Sequence, residues 1–203
     1  MFLSLDGDSS AEASHGGPPT ASLTSMVELA RLGDVRGFTA LFQYFNAPIC
    51  TYLARLVGND ELGRDLAQET FLRAWKSLPD LRGELHFKPW LYRIATNLAR
   101  SHLRHERIIH WLPWAEQEEH YTGGRFSMAM AGPEEHVGEV ECVQQALRRL
   151  TPQCRTCLLL QLVAGFSQRE IADLLAINEK SVSAYVSRGR EQFRLAYRSL
   201  KGE

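Results

Sequence analysis

The segment Gly165-Phe166-Ser167-Gln168-Arg169-Glu170-Ile171-Ala172-Asp173-Leu174-Leu175-Ala176-Ile177-Asn178-Glu179-Lys180-Ser181-Val182 carries the plainest structural message in this chain. Ser167 followed three residues later by Glu170 is a capping box, in which each side chain satisfies the other residue's backbone N–H at a helix start. Ile171, Ala172, Leu175 and Ile177 give that short helix its buried edge. Ala176-Ile177-Asn178 reads as a tight turn, and Asn178 can cap a second helix. A short helix, a turn of three or four residues and a longer polar helix make a helix-turn-helix. The second helix presents Lys180, Ser181, Ser183, Ala184, Tyr185, Ser187, Arg188 and Arg190, while Val182, Val186 and Phe193 recur at helical spacing and face inward. Narrow side chains at its start, hydrogen-bonding groups for base edges and arginines for phosphates suit entry into a DNA major groove. An ordinary helical hairpin with a basic face would explain the charge. It would not explain the cap, the turn and the polar start together.

Upstream, Thr151-Pro152 opens an apolar helix from Cys154 to Val163, closed by Gly165, and helical pattern reaches back to Glu139. Residues 110–138 break that pattern with Pro113, Gly123-Gly124 and Gly132-Pro133. So long an aperiodic stretch does not fit inside one compact domain and argues for a linker between two. From Thr24 to about residue 109 the helical pattern returns. Thr24 is expected to cap a short helix and Asp34 the next, where Phe38, Leu41, Phe42, Phe45, Ile49, Leu53 and Leu56 recur at three- and four-residue steps. Pro48 should bend or break that helix. After a turn at Gly58-Asn59-Asp60, a third helix runs from about Glu61 to Ser77. A loop at 80–87 follows, and a fourth helix runs from about Pro89 to Arg107. Residues 1–23, rich in Ser, Gly, Ala and Pro, read as a disordered tail. The expected fold class is therefore all-α: two helical domains, 24–109 and 139–203, joined by a flexible acidic linker at 110–138, the C-terminal domain holding the helix-turn-helix.

Composition is consistent with this. The chain has 203 residues, 44% hydrophobic and 23% charged, with a formal net charge of −1. That total hides a basic block of +4 at 86–109, an acidic −6 at 110–143 and a basic +5 at 144–203, so two separated sites for a polyanion are suggested. No apolar run is long enough for a membrane span, and the N-terminus lacks the features of a secretory signal. Cys50, Cys142, Cys154 and Cys157 are accordingly read as reduced thiols of a cytoplasmic protein.

On the third helix, Ala67, Phe71, Ala74, Trp75 and Leu78 form a stripe to be buried. Asp65, Gln68, Glu69, Leu72 and Lys76 form the opposite one. Leu72, apolar within an acidic and amide patch, suggests a protein contact, although a lone surface leucine is common. The fourth helix places Trp90, Leu91, Ile94, Ala95, Leu98 and Leu103 on a buried side and Arg93, Asn97, Arg100, Ser101 and Arg104 on another face. Aromatics beside such a basic groove suit single-stranded nucleic acid; packing is the alternative role for Trp90 and Tyr92, and the plainer one for Trp90. Cys154-x-x-Cys157 and His102-x-x-His105 lie on helices without a second ligand pair, so no metal or other cofactor is expected. No nucleophile–base motif or phosphate loop appears, which argues against an enzyme.

These residues resemble a known family. Asp65-Leu66-Ala67-Gln68-Glu69-Thr70-Phe71-Leu72-Arg73-Ala74-Trp75 looks like the polymerase-binding helix of bacterial sigma factors. Phe87-Lys88-Pro89-Trp90-Leu91-Tyr92-Arg93-Ile94-Ala95-Thr96-Asn97-Leu98-Ala99 is similar to their promoter-melting region, and Ala146 through Arg190 resembles their C-terminal helix-turn-helix domain. The short two-domain layout is that of the extracytoplasmic-function (ECF) class of the sigma-70 superfamily. The resemblance implies a factor that binds core RNA polymerase, at its β′ clamp helices and β flap, and promotes melting of promoter DNA. Asp65, Gln68, Glu69, Leu72 and Arg73 would dock on polymerase. Lys88, Arg93, Asn97, Arg100, Ser101 and Arg104 would engage the −10 element and hold an extruded base. Lys180, Ser181, Ser183, Ala184, Tyr185, Ser187, Arg188 and Arg190 would read the −35 element. The acidic linker would run through polymerase channels that carry nucleic acid, and an anti-sigma factor is a further implied partner. Many relatives carry a Thr-Val-Lys-Ser-Arg-like run in the recognition helix. Here Ser181-Val182-Ser183-Ala184-Tyr185 lacks both bases. The rival reading, a helix-turn-helix regulator that works without polymerase, leaves the Asp65–Trp75 pattern unaccounted for.

Overall fold

The computed structural model describes residues 20–81, 86–109 and 134–202. The described residues form eight helices and no strand: α1 (Thr20–Arg31), α2 (Val35–Val57), α3 (Asp60–Ser77), α4 (Phe87–Ile109), α5 (Glu134–Arg148), α6 (Pro152–Leu162), α7 (Gln168–Leu175) and α8 (Glu179–Lys201). Local chemistry sets most of the ends. The Asp34 side chain accepts from the Arg36 N–H, Asn59 from Leu62 N–H and Asn178 from Lys180 N–H, each satisfying a donor that the first helical turn leaves without a partner. Gly58 ends α2 in the left-handed region at φ 82° and hands the chain directly to the Asn59 cap.

Four expectations change. The first helix starts at Thr20, so Thr24 lies inside it and not at its start. Leu23, Met26, Val27 and Ala30 pack on the core, and that packing carries the helix back toward Pro19. Pro48 does not break α2, which runs on to Val57. The ring sits on the exposed side, while Leu41, Phe45, Ile49, Tyr52, Leu53 and Leu56 are buried on the other, and their burial outweighs one lost backbone bond. The helix expected from Glu139 begins at Glu134, directly after Pro133, a residue compatible with a helix start and not with its interior. Ile177 is exposed and Leu174 is buried in its place, because Ala176 adopts the left-handed region (φ 54°) and turns the chain before Ile177 can continue the stripe. The remainder of the expected tail, residues 82–85 of the loop, and 110–133 of the linker lie outside the described residues.

α1 to α4 form one body. α2 and α3 cross closely at Gly63, where an added Cβ would meet Ala54 Cα and N at 2.6 Å. Phe38, Phe42 and Phe71 interleave edge to face, with Trp75 against Phe38 at 4.9 Å. α4 is pinned by a buried chain of hydroxyls. Thr96 Oγ1 donates to the Tyr92 carbonyl (2.7 Å) and lies 2.8 Å from the Tyr52 hydroxyl. A hydroxyl has one proton, so Tyr52 O–H donates to Thr96. α5 to α8 form the second body, with α8 crossing α6 at Gly189, whose absent side chain lets the Cys154 carbonyl approach to within 3.2 Å of where a Cβ would stand. One apolar cluster runs through both bodies, from Tyr52, Leu56 and Tyr92 to Cys157, Leu160 and Phe166.

Candidate nucleic-acid interface

The capping box is complete. Ser167 N–H donates to Glu170 Oε2 (2.8 Å), and Glu170 N–H donates to Ser167 Oγ (3.3 Å). The bonds from Ser167 hold the Glu170 carboxyl below its ordinary value, with smaller help from the charges of Lys88 and His86. This fixes the start of α7. Val182 and Val186 bury one side of α8, so the opposite side projects outward.

Of the eight residues assigned to reading duplex DNA, Lys180, Ser183, Ser187, Arg188 and Arg190 are exposed, and Ser181, Ala184 and Tyr185 are half-buried at the edge. Arg188 lies over the Tyr185 ring at 5.8 Å. Arg190 donates to Gln161 Oε1 at 3.3 Å, which ties α8 to α6. Ser183, Ser187 and Arg190 line an open groove with Gln168, Glu191 and Arg194. Gln168 and Arg194 were not singled out in the sequence. Arg194 continues the 183, 187, 190 spacing by one turn and was legible from it. Gln168 stands on the other helix, and only the fold brings it there.

α4 presents Arg93, Asn97, Arg100, Ser101 and Arg104 as an exposed row. Lys88 is half-buried, its Nζ 4.8 Å above the Phe166 ring. Tyr92 is buried against Tyr52 and Phe166, and Trp90 is half-buried against Phe87, so both are packing residues in this arrangement. Burial pushes the Tyr92 phenol up to about 12. Leu91, Ala95 and Leu98 are buried as expected, Ile94 and Leu103 are half-buried, and Thr96 and Ala99 are buried as well, Thr96 against Tyr52 of α2.

On α3 the expected stripe holds except at Trp75, which is half-buried: Ala67, Phe71, Ala74 and Leu78 are buried, as are Leu66 and Thr70. Asp65, Gln68, Leu72 and Arg73 are exposed and Glu69 half-buried. Leu72 has 55% of its surface open. Arg73 Nε meets Glu69 Oε1 at 2.7 Å one turn away, an exposed pair worth only about 0.3–0.5 kcal/mol. It orients the patch more than it stabilises the helix. Among the described residues no three metal-type side chains come together, and Cys154 and Cys157 are both buried. No helix among them is long and apolar enough to cross a membrane.

Residues 41–108, which span α2 to α4, match the family model of Sigma-70 region 2, and residues 140–193 match that of Sigma-70, region 4. The chain is 32% identical over 183 residues to the RNA polymerase sigma-H factor of Pseudomonas aeruginosa, covering 88% of this chain and 95% of that one. It is 30% identical to the ECF RNA polymerase sigma factor SigW of Bacillus subtilis, covering 86% and 96%. Among solved structures, the fold is similar to the sigma factor RpoE in complex with the anti-sigma factor NepR from Bartonella quintana (TM-score 0.64, 20% identity, 80% of this chain and 97% of that one). It is also similar to CnrH in complex with the cytosolic domain of CnrY (TM-score 0.63, 23% identity, 86% and 96%). The chain belongs to the sigma-70 family of RNA polymerase sigma factors, in its ECF class, and its function is promoter recognition and transcription initiation.

Proposed function

We propose that three helices divide this work among named side chains. The α3 patch of Asp65, Gln68, Glu69, Leu72 and Arg73 docks on the polymerase clamp helices, and the second body contacts the flap. The α4 row of Arg93, Asn97, Arg100, Ser101 and Arg104, together with Lys88, engages the −10 element. It holds an extruded base there, offsetting an unstacking cost of a few kcal/mol. The outer side of α8, with Lys180, Ser181, Ser183, Ala184, Tyr185, Ser187, Arg188 and Arg190, enters the major groove of the −35 element. The protein performs no chemistry of its own; polymerase does. It works in the cytoplasm, where polymerase and promoters are, and an anti-sigma factor would act by covering one or more of these faces. The domain division at 24–109 and 139–203 is part of the same proposal.

The observation that carries this reading is the α3 patch: an exposed leucine framed by acidic, amide and guanidinium groups, opposite the buried Ala67, Phe71, Ala74 and Leu78. The carboxylates of Asp65 and Glu69 suit a protein partner better than a phosphate backbone. The test is a pull-down with core polymerase of the wild-type chain and of a Leu72→Ala, Asp65→Asn, Glu69→Gln variant, with circular dichroism on both. Loss of core binding at unchanged helicity is expected. Core binding that survives in a folded variant would overturn the assignment of the surface.

A further inference from the structure

We propose that α8 carries two arginines braced before DNA arrives, with Tyr185 and Gln161 as the positioning residues that hold Arg188 and Arg190. This rests on the reading of α8 given above.

α8 meets the rest of its body along Val182, Val186 and Gly189, all buried. Arg188 and Arg190 stand on either side of Gly189 in the sequence, so they leave the helix about 200° apart, one toward each flank of that contact. The outward side between them holds Ser183 and Ser187, with Ala184 at its edge, all short side chains. The long donors therefore stand at the margins, and the shallow floor between them lets base edges approach the helix.

Each margin has its own support. Tyr185 lies one turn before Arg188, half-buried and packed on the core, which holds its ring in place. The Arg188 guanidinium lies over that ring at 5.8 Å, within the range of a cation–π contact. Gln161 comes from the end of α6 and is half-buried, and its Oε1 accepts from Arg190 Nη2 at 3.3 Å. Neither brace consumes the chemistry of recognition. The aromatic face takes none of the N–H donors of Arg188, and the amide takes a single one from Arg190. Both arginines stay exposed. Arg194, exposed in the same groove, has no such support among the described residues and is the natural comparison. Contacts that merely seated α8 would have no reason to end on guanidinium groups, and the close approach of Gly189 to the Cys154 carbonyl already seats the helix.

An arginine loses rotamers when it is fixed on a base edge, and a side chain already held loses fewer. Removing either brace should therefore weaken duplex binding about three- to ten-fold. Tyr185→Met and Gln161→Met delete the ring face and the amide acceptor while keeping bulk. Holoenzyme assembled from core polymerase and the full chain is offered duplexes randomised across the upstream element, and selection with sequencing gives base preference. Affinity is measured on the duplex that the wild type selects. Arginine Nε order parameters in the free chain read the bracing directly. Each brace variant should lose affinity by that factor and flatten preference at the same base pairs as Arg188→Ala or Arg190→Ala respectively. It should also bring the order parameter of its arginine down to that of Arg194. Tyr185→Phe should match wild type. Tyr185→Met on top of Arg188→Ala, and Gln161→Met on top of Arg190→Ala, should cost nothing further. Costs that add in full would overturn the bracing and leave the α8 reading standing. So would Tyr185→Phe as weak as Tyr185→Met, which puts the hydroxyl itself on DNA. Arg188→Ala and Arg190→Ala with unchanged preference would overturn the α8 reading, and the bracing with it. Circular dichroism accompanies every variant; should Tyr185→Met lose helicity, the Gln161→Met arm decides.

Discussion

Thr96→Val should destabilise this protein more than Tyr52→Phe, although the two substitutions break the same hydrogen bond. The relay runs one way: Tyr52 O–H to Thr96 Oγ1, and Thr96 O–H to the Tyr92 carbonyl, with Tyr52 and Thr96 fully buried. Valine keeps the shape of threonine and removes the acceptor, leaving a buried phenol donor with nothing to receive it, at a cost of about 1–3 kcal/mol. Phenylalanine removes the donor and leaves the bond from Thr96 to the Tyr92 carbonyl in place, so the loss should be about 0.5–1.5 kcal/mol. The double variant removes donor and acceptor together. It should fall near Tyr52→Phe alone, well short of the sum, because the orphaned phenol no longer exists. Urea denaturation followed by tryptophan fluorescence measures all four chains, Trp75 and Trp90 lying in the same body. A Thr96→Val chain within about 0.5 kcal/mol of wild type, or a double variant equal to the sum of the singles, would refute the direction assigned to the relay. The result bears on function because this relay seats α4 against α2.

Three further outcomes are expected. Gly63→Ala would gain about 1 kcal/mol in an open helix, but here the new Cβ meets Ala54 backbone at 2.6 Å, so a lowered melting temperature, equivalent to a loss of about 1–3 kcal/mol, is predicted. In native alkylation at neutral pH, Cys154 and Cys157 should stay unmodified, since both are buried and burial, then the neighbouring Cys154, pushes the Cys157 thiol up to about 11. The half-buried Cys50 and Cys142 should react first, and mass spectrometry of the modified peptides distinguishes them. The Glu170 carboxyl is held below its ordinary value of 4.5, so its contribution to stability is complete above that pH and is lost as pH falls through the lowered value. Glu170→Gln retains an acceptor for Ser167 and cannot titrate, so the corresponding acid step in an unfolding titration should disappear.

Much of this architecture was legible because it is written in short-range chemistry. Asp34, Asn59, Ser167 and Asn178 each sit within three residues of the N–H they satisfy, so their roles follow from spacing alone. The buried stripes of α3 and α8 follow from the helical period. The start of α1 did not, because Leu23 and Val27 matter only once the core lies beside them. Tyr92 could be read equally as a stacking platform or as core, since the difference is made by Phe166, more than seventy residues away. The bonds from Arg148 and Arg155 to the Gly58 and Leu56 carbonyls were invisible for a related reason. Their acceptors are main-chain oxygens, which every residue has, so no residue type marks the partner.

If α8 reads the −35 element as proposed, the Gly189 crossing separates how that helix is seated from which bases it meets. With the Cys154 carbonyl 3.2 Å from where a Cβ would stand, α8 is seated from the rear, on α6. Ser183, Ser187 and Arg194 project from the front and take no part in that seating. Those outward positions can therefore be exchanged to retarget the molecule to other operators, with the mounting angle preserved.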